Sequence, residues 1–308
     1  MTRGSTVSRR LAGTAAGLLL DRVWGEPPSA VHPVAWFGRT MGSLERAVWR
    51  DSTLVGAGYA GVGLGLGAVV GKLVRSTAAT TWIVVAGRQL RDVAGSVTAT
   101  ARTDPATARS ELRALVGRDT SQLDRSGIAA AAIESVAENT VDAVFAPAMW
   151  AAVAGAGGAG AYRAVNTLDA MVGHRSPRYA KFGTVAARAD DLANWLPARL
   201  FAISVAGVRP RRAGRIWRTV RRDAGAHPSP NAGVAEAAMA AALGVELGGP
   251  LRYGNRDEER PRLGTGPRPT LDDVAAAIRV ADHAERLLVG LVLGGAFAAS
   301  RLRRSRTS

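Results

Sequence analysis

Long apolar runs separated by charged, helix-compatible stretches set the pattern of this chain. Residues 52–71 carry no charge, and Gly63, Gly67 and Gly71 recur every four residues within them. That spacing puts small residues on one helix face, which permits close helix contact in lipid; in water so many glycines would lower helix propensity. Residues 143–162 form a second uncharged run, with Pro147 near its start, where a helix tolerates it. Residues 192–208, interrupted by Pro197 and Arg199, and residues 287–300 are the third and fourth candidates. A shorter apolar stretch, 77–87, finishes a hairpin or packs at an interface. Residues 11–20 read as a retained first helix, too short alone to cross a bilayer. The basic tail favours a cytoplasmic C-terminus. Residues 88–142 are charged and helix-compatible, and strand signals are weak throughout. The expected fold is all-α: a polytopic integral membrane protein with about three to five transmembrane helices and long helical loops. Residues 1–300 read as one membrane domain and 301–308 as a basic tail. A soluble all-α protein with buried alanine-rich helices is the alternative.

Composition narrows the chemistry. The 308 residues are 47% hydrophobic but 5% aromatic, so the apolar content is Ala, Val, Leu and Gly. There is no cysteine, which excludes disulfides, thiolate nucleophiles and thiolate metal sites. The net charge is +15, carried almost wholly by Arg; lysine stands only at 72 and 181. The basic residues are dispersed and no readout module is visible, so no nucleic-acid partner is expected. No GxGxxG fingerprint, Walker A loop, zinc finger or HExxH motif is present.

Candidate chemistry lies beside the apolar runs. In ESVAENTVDA, Glu134, Glu138 and Asp142 are four apart and descend one face of a helix, with Ile133, Ala137 and Val141 as the adjacent apolar stripe and Asn139 beside the acids. Three carboxylates on one face repel unless Mg²⁺ or arginines sit among them; a solvated acidic face is the plainer reading. A second polar block, residues 166–199, sets Asn166 and Asp169 three apart and Asp190 and Asn194 four apart, with Asp191 adjacent and Lys181, Arg175 and Arg188 nearby. Acids with neighbouring bases suit Mg²⁺ and a phosphate-bearing substrate. His32 and His227 each precede a proline in a rigid loop, at the mouth of a site. His283 reads as a helix-surface residue. Asn231 caps the helix that follows it, or touches substrate. GTGPRP, residues 264–269, is a turn or a phosphate-adjacent loop. A Mg²⁺-dependent membrane prenyltransferase, with Asn139/Asp142 and Asn166/Asp169 on diphosphate, stands open beside other phosphate chemistries.

Four blocks together carry a resemblance: DRVWGEPPSAVHPVAWFGR, ESVAENTVDAVFAPAMW, NTLDAMVGHRSPRYAKFGTVAARADDLANWLPARL and HPSPNAGVAEAAMAAALG. In this order they resemble the CobD/CbiB family of membrane adenosylcobinamide-phosphate synthases, over about residues 15–290. The resemblance implies a multi-pass protein of the cell membrane. It implies amide formation between the propionate of adenosylcobyric acid and (R)-1-amino-2-propanol or its O-phosphate. ATP and Mg²⁺ are implied as co-substrate and required ion, with no tightly bound prosthetic group. Under that reading Glu134, Glu138, Asp190, Asp191 and Lys181 are catalytic. Asp142, Asp190 and Asp191 hold metal. His32, Asn139, Arg175, Arg188, Asn194, His227 and Asn231 bind substrate. The bilayer is a partner; contact with other late enzymes of the pathway, and oligomeric state, stay open. A weaker likeness within the superfamily leaves a non-enzymatic membrane sensor as a further alternative.

Overall fold

The computed structural model describes residues 3–28, 32–117, 119–174, 176–253 and 256–304. Among the described residues the regular elements are helices apart from one hairpin. The helices gather into two compact units: Met1–Gly87, Asp142–Asn194 and Val289–Ser308 in the first, Arg88–Val141 and Trp195–Leu288 in the second.

The first unit is built on α1 (Arg3–Trp24), α2 (Pro33–Val48), α3 (Thr53–Val74), α4 (Thr77–Val84) and α8 (Ala146–Leu168). Helix α3 starts at Ser52, whose hydroxyl accepts from Val55 N, and ends at Arg75 in the left-handed conformation. It packs on α8 through the glycine row expected from sequence. A Cβ at Gly67 would lie 2.6 Å from the Gly160 carbonyl oxygen and 2.5 Å from Ala164 Cβ; a Cβ at Gly63 would lie 2.6 Å from Leu168 Cδ1. Gly71 faces the Ala156 carbonyl in the same way. The backbones therefore touch where larger residues would hold them apart. Helix α8 breaks at Gly155, where φ is +68°. The carbonyl of Val153, beside that break, accepts from Arg10 Nη1 at 2.7 Å. Next to the α3–α8 contact, Met41, Tyr59, Leu168, Val172 and Phe182 form an apolar cluster.

The second unit contains α5 (Gly87–Thr103), α6 (Pro105–Leu112), α7 (Arg125–Thr140), α10 (Ala213–Asp223), α11 (Ala232–Leu243) and the hairpin. Helix α9 (Thr184–Val208) and helix α12 (Leu271–Arg304) each contribute to both units. Helix α11 is buried along its length from Ala232 to Ala242 and packs on α7 and α10. Alanine lets three helices approach closely at little side-chain entropy cost. Arg91 pairs with buried Glu285 and lies 3.9 Å from Asp282, joining α5 to α12.

The all-helical expectation is corrected at one place. The weak strand signals hid an antiparallel hairpin, β1 (Leu247–Tyr253) and β2 (Arg256–Leu263), bulged between Leu247 and Gly249. Its sequences, LGGPLRY and RDEERPRL, lack the apolar–polar alternation of a half-buried strand, and their pairing depends on long-range context. Residues 77–84 form the short helix α4, which packs on α1. Among the described residues, two helical stretches are long and apolar enough to cross a membrane, by length and composition: Thr53–Val74 and Arg125–Gly173. The expected third and fourth spans do not meet that test. Residues 192–208 continue a helix carrying Arg188, Asp190, Asp191 and Arg199, and the apolar part of α12 spans only about 21 Å against roughly 30 Å of hydrocarbon.

Gly67→Ala should destabilise the protein by about 1–3 kcal/mol through overpacking. Gly65→Ala, on the same helix with open space at its Cβ, should be neutral or stabilising. Melting temperatures in one detergent check this; equal losses at both positions would contradict the close α3–α8 contact.

Candidate active site

In the second unit the acids of α7 meet the hairpin. Asp124 starts the helix, its Oδ1 accepting from Gly127 N at 2.7 Å. Ile128 to Ala137 are all buried, and Glu134 is only 9% exposed among these alanines. A carboxylate there needs donors, and Glu134 Oε1 accepts from Gly248 N at 2.8 Å. Gly248 lies in the bulge with φ +76°, and a Cβ would collide with the Pro261 carbonyl. Glycine is therefore required to deliver this N–H.

His227 closes the same site. Its Nε2 lies 2.7 Å from Arg260 Nη1 and 3.8 Å from Glu236 Oε1. A guanidinium only donates, so Nε2 is the acceptor and the neutral ring carries its proton on Nδ1, toward the Ser229 carbonyl at 3.1 Å. The Ser229 N–H also faces Nδ1, but the Arg260 contact decides the tautomer. Glu134, Ser135, Glu138, His227, Glu236 and Arg260 line a cavity of about 120 Å³. A second cavity, about 400 Å³, shares Glu134 and Gly248 and adds Arg262 and Arg268. Arg262 pairs with Glu246 at 2.6 Å, and Arg268 donates to the Gly248 carbonyl at 2.7 Å. Carboxylates, a histidine and guanidiniums thus line two cavities that share Glu134 and Gly248, a donor set able to accept protons and hold anions.

The first unit holds a separate polar chain. Tyr162 Oη lies 2.9 Å from Asn194 Oδ1 and 3.1 Å from the Asp142 carbonyl, donating to one at a time. Asn194 Nδ2 donates to Asp190 Oδ2 at 3.0 Å, and Asn166 Nδ2 to Asp190 Oδ1 at 3.2 Å. Burial pushes the Asp190 carboxyl above the usual aspartate range and Asp191 adds to this, while the two amides pull it back. At the start of α2, His32 Nδ1 accepts from Val34 N at 3.2 Å, so Nε2 carries the proton and faces Glu26 Oε2 at 3.3 Å. Burial, then the charge of Arg163, hold His32 below its ordinary value. Burial raises Glu26, against the opposing charge of Arg163.

The remaining expected residues fall as follows. Asn139 bonds back to Ser135, donating to its carbonyl at 3.0 Å and its hydroxyl at 2.9 Å. Lys181 pairs with Asp51 at 2.9 Å on the surface. Arg188 is exposed and Asp191 half-buried. Arg175 lies outside the described residues. Asn231 occupies the cap position of α11 without a side-chain cap bond; its Oδ1 accepts from Arg199 at 3.0 Å, and the Ser229 hydroxyl accepts from Ala232 N instead. Glu134 and Glu138 line the cavity of the second unit, and Asp142 belongs to the first unit. Among the described residues no three His, Asp or Glu side chains converge as metal ligands by themselves.

Residues 14–281 match the family model for the CobD/CbiB protein. The chain belongs to the CobD/CbiB family. It is 45% identical over 291 residues to the cobalamin biosynthesis protein CobD of Mycobacterium tuberculosis strain H37Rv, covering 89% of this chain and 92% of the relative. It is 42% identical over 297 residues to that of Chromobacterium violaceum, covering 91% and 94%. With the Rhodobacter capsulatus protein the identity is 41% over 281 residues, covering 85% and 89%. No solved structure matches the chain significantly.

Sequence reasoning did not place Glu236, Arg260, Gly248, Tyr162, Arg163 or Glu26 in a site. Glu236 had a readable signal, as the one charge in AGVAEAAMAAALG. Arg260 and Gly248 arrive through the hairpin, so no local pattern points to them.

His32→Asn keeps a side-chain acceptor for Val34 N and removes the titration. The folded ring resists a proton that the unfolded ring accepts, so wild-type stability falls as pH drops below about 6.5. The variant should lose less over the same fall. Melting curves from pH ~7.5 to ~5.5 check this; parallel losses in both proteins would contradict a neutral buried His32.

Proposed function

We propose that this chain is the adenosylcobinamide (phosphate) synthase of cobalamin biosynthesis. It acts as an ATP-dependent acid–amine ligase, joining the propionate carboxylate of adenosylcobyric acid to (R)-1-amino-2-propanol or its O-phosphate. The observation that carries the reading is likeness across nearly the whole chain to the cobalamin biosynthesis protein CobD, at 45% identity over 89% of the residues. The recess in the second unit supports it, because its Glu134, Glu138, His227 and Glu236 lie in two of the sequence blocks that carry the resemblance.

Amide formation makes a C–N bond, removes one carboxylate oxygen and releases a proton from the amine. ATP with Mg²⁺ supplies the activation that turns the carboxylate oxygen into a leaving group. The protein must hold two anions, keep the amine neutral and take its proton. Arg260 offers a guanidinium beside three carboxylates, positioned for an anionic oxygen. Exposed Glu138 accepts the amine proton. Glu134, fixed by Gly248 N–H, and neutral His227, fixed by Arg260, orient the reacting groups. Asn139, held against Ser135, and Asn231, held by Arg199, border the bound substrate.

Mg²⁺ takes hard oxygen donors, keeps water and is commonly held by one or two carboxylates plus phosphate oxygens. Asp190 fits this pattern: its oxygens meet neutral amides, and burial with Asp191 beside it leaves a like-charge strain that a cation relieves. Asp142, Asp190 and Asp191 are the proposed holders of Mg²⁺, with Asn194 orienting Asp190. Lys181, Arg175 and Arg188 are assigned to phosphate, and Lys181 would exchange its exposed Asp51 partner, a pair worth little in water. His32 orients substrate from the start of α2.

The protein is assigned to the cell membrane as a multi-pass chain. Helix α3 supports this, since only a third of its apolar window is buried, and Leu54, Val62, Leu64, Val69 and Leu73 face outward. A corrinoid, large and amphipathic, suits a site at a membrane surface.

Asp190→Asn and Glu138→Gln should each lower kcat by about a hundredfold or more, with membrane insertion and melting unchanged. Turnover measured in proteoliposomes containing both substrates, ATP and Mg²⁺ checks this. Wild-type kcat in either variant would remove that residue from the site.

A further inference from the structure

Seven of the fourteen residues from Arg209 to Arg222 are arginine, and the segment contains no acid. It comprises the turn Pro210–Arg212 and helix α10 in the second unit. The arginines divide by what they touch. Arg212 donates to the Ala242 carbonyl at 2.7 Å near the end of α11, and Arg215 donates to the Thr265 carbonyl. Arg222 pairs with Asp223 at 2.5 Å. Arg212 and Arg215 tie this segment to the rest of the unit, while Arg222 is engaged by its sequence neighbour. Arg211 and Arg221 are exposed and make no hydrogen bond or ion pair among the described residues. Arg218 is exposed and bonds only back to the Gly214 carbonyl, at 3.2 Å.

The inner face of α10 is already used. Ile216, Thr219 and Asp223 are buried, and Asp223 accepts from Gly264 N at 2.8 Å. The outer face presents Gly214, Trp217, Arg218 and Arg221, with Trp217 40% exposed. An outward tryptophan flanked by exposed guanidiniums with no ion pair among the described residues is the composition of a membrane–water interface: the ring settles at headgroup level and the cations meet phosphate. A nucleic-acid surface would call for cations spread along a backbone track, whereas these gather on one short helix around a ring.

We propose that α10 is an anionic-lipid docking helix, with Arg211, Arg218 and Arg221 binding phospholipid headgroup phosphates and Trp217 entering the interface. The proposal rests on the membrane placement given above. Three outward arginines at about 1 kcal/mol each correspond to a docking constant changed on the order of a hundredfold when they are neutralised.

The chain has no cysteine, and a Cβ at Gly214 meets nothing within 4 Å, so Gly214→Cys accepts a single environment-sensitive fluorophore without disturbing the fold. The labelled full-length protein is incorporated into nanodiscs of phosphatidylcholine, or of phosphatidylcholine with phosphatidylglycerol, each carrying a headgroup quencher. Incorporation in both discs tests the membrane placement separately. The expected result is strong quenching only with phosphatidylglycerol, reversed by high salt and lost in the R211Q/R218Q/R221Q variant at unchanged melting temperature. Equal quenching in both discs, or quenching retained in the triple variant, would overturn the proposal. So would a response to inorganic phosphate or a short DNA duplex without a response to phosphatidylglycerol, which would mark a soluble-anion or nucleic-acid surface.

Discussion

The structure depends on backbone-to-backbone contact. A chain with 5% aromatic residues has few large side chains to fill the space between helices. Close packing must then come from helices that approach until carbonyls and Cα atoms touch. In the first unit this happens where Gly67 meets Gly160 and Gly71 meets Ala156. In the second, α7 and α11 pack together through buried small residues, Ala129 to Ala132 on α7 and Ala237, Ala238 and Ala240 to Ala242 on α11. Even a methyl group at the glycine contacts meets main chain, which cannot rotate away as a side chain can.

The candidate functional groups are set into these small-residue surfaces. Glu134 and Glu236 project from helices otherwise lined largely with alanine, and residues outside those helices reach both: Gly248 N for Glu134 and His227 at 3.8 Å for Glu236. For Glu134 the partner is a backbone N–H at a glycine bulge, a donor without side-chain freedom. His227 is fixed between Ser229 and Arg260. In the first unit Asp190 is held by two amides that orient it without neutralising it. A buried carboxylate that meets only neutral donors makes a nearby cation or further donor worth more than it would be in water.

Much of the helical framework was legible in the sequence. The runs at 52–71 and 143–162 announced α3 and α8, and the four-residue glycine spacing announced a close-packing face on α3, though not its partner. Glu134, Glu138 and His227 stand out by their chemistry in distant sequence blocks, and they line one cavity. What escaped was non-local. The hairpin has no alternating pattern, and it brings Gly248 and Arg260 to the site from a charged stretch. The π turn at Val141–Phe145 interrupts the helix, where a four-residue spacing assumes regular winding. Asn231 has the composition of a cap, but Arg199 takes its oxygen and Ser229 takes over the cap. A competing partner thirty-two residues away is invisible to a local rule.

The most direct measurement uses purified wild-type protein in nanodiscs with adenosylcobyric acid, isotopically labelled aminopropanol or its phosphate, ATP and Mg²⁺. Mass spectrometry follows the corrinoid. The account predicts a product that carries the labelled nitrogen in an amide, has lost one carboxylate oxygen and forms only when every component is present. Folded protein that leaves adenosylcobyric acid unchanged with both amines would contradict it.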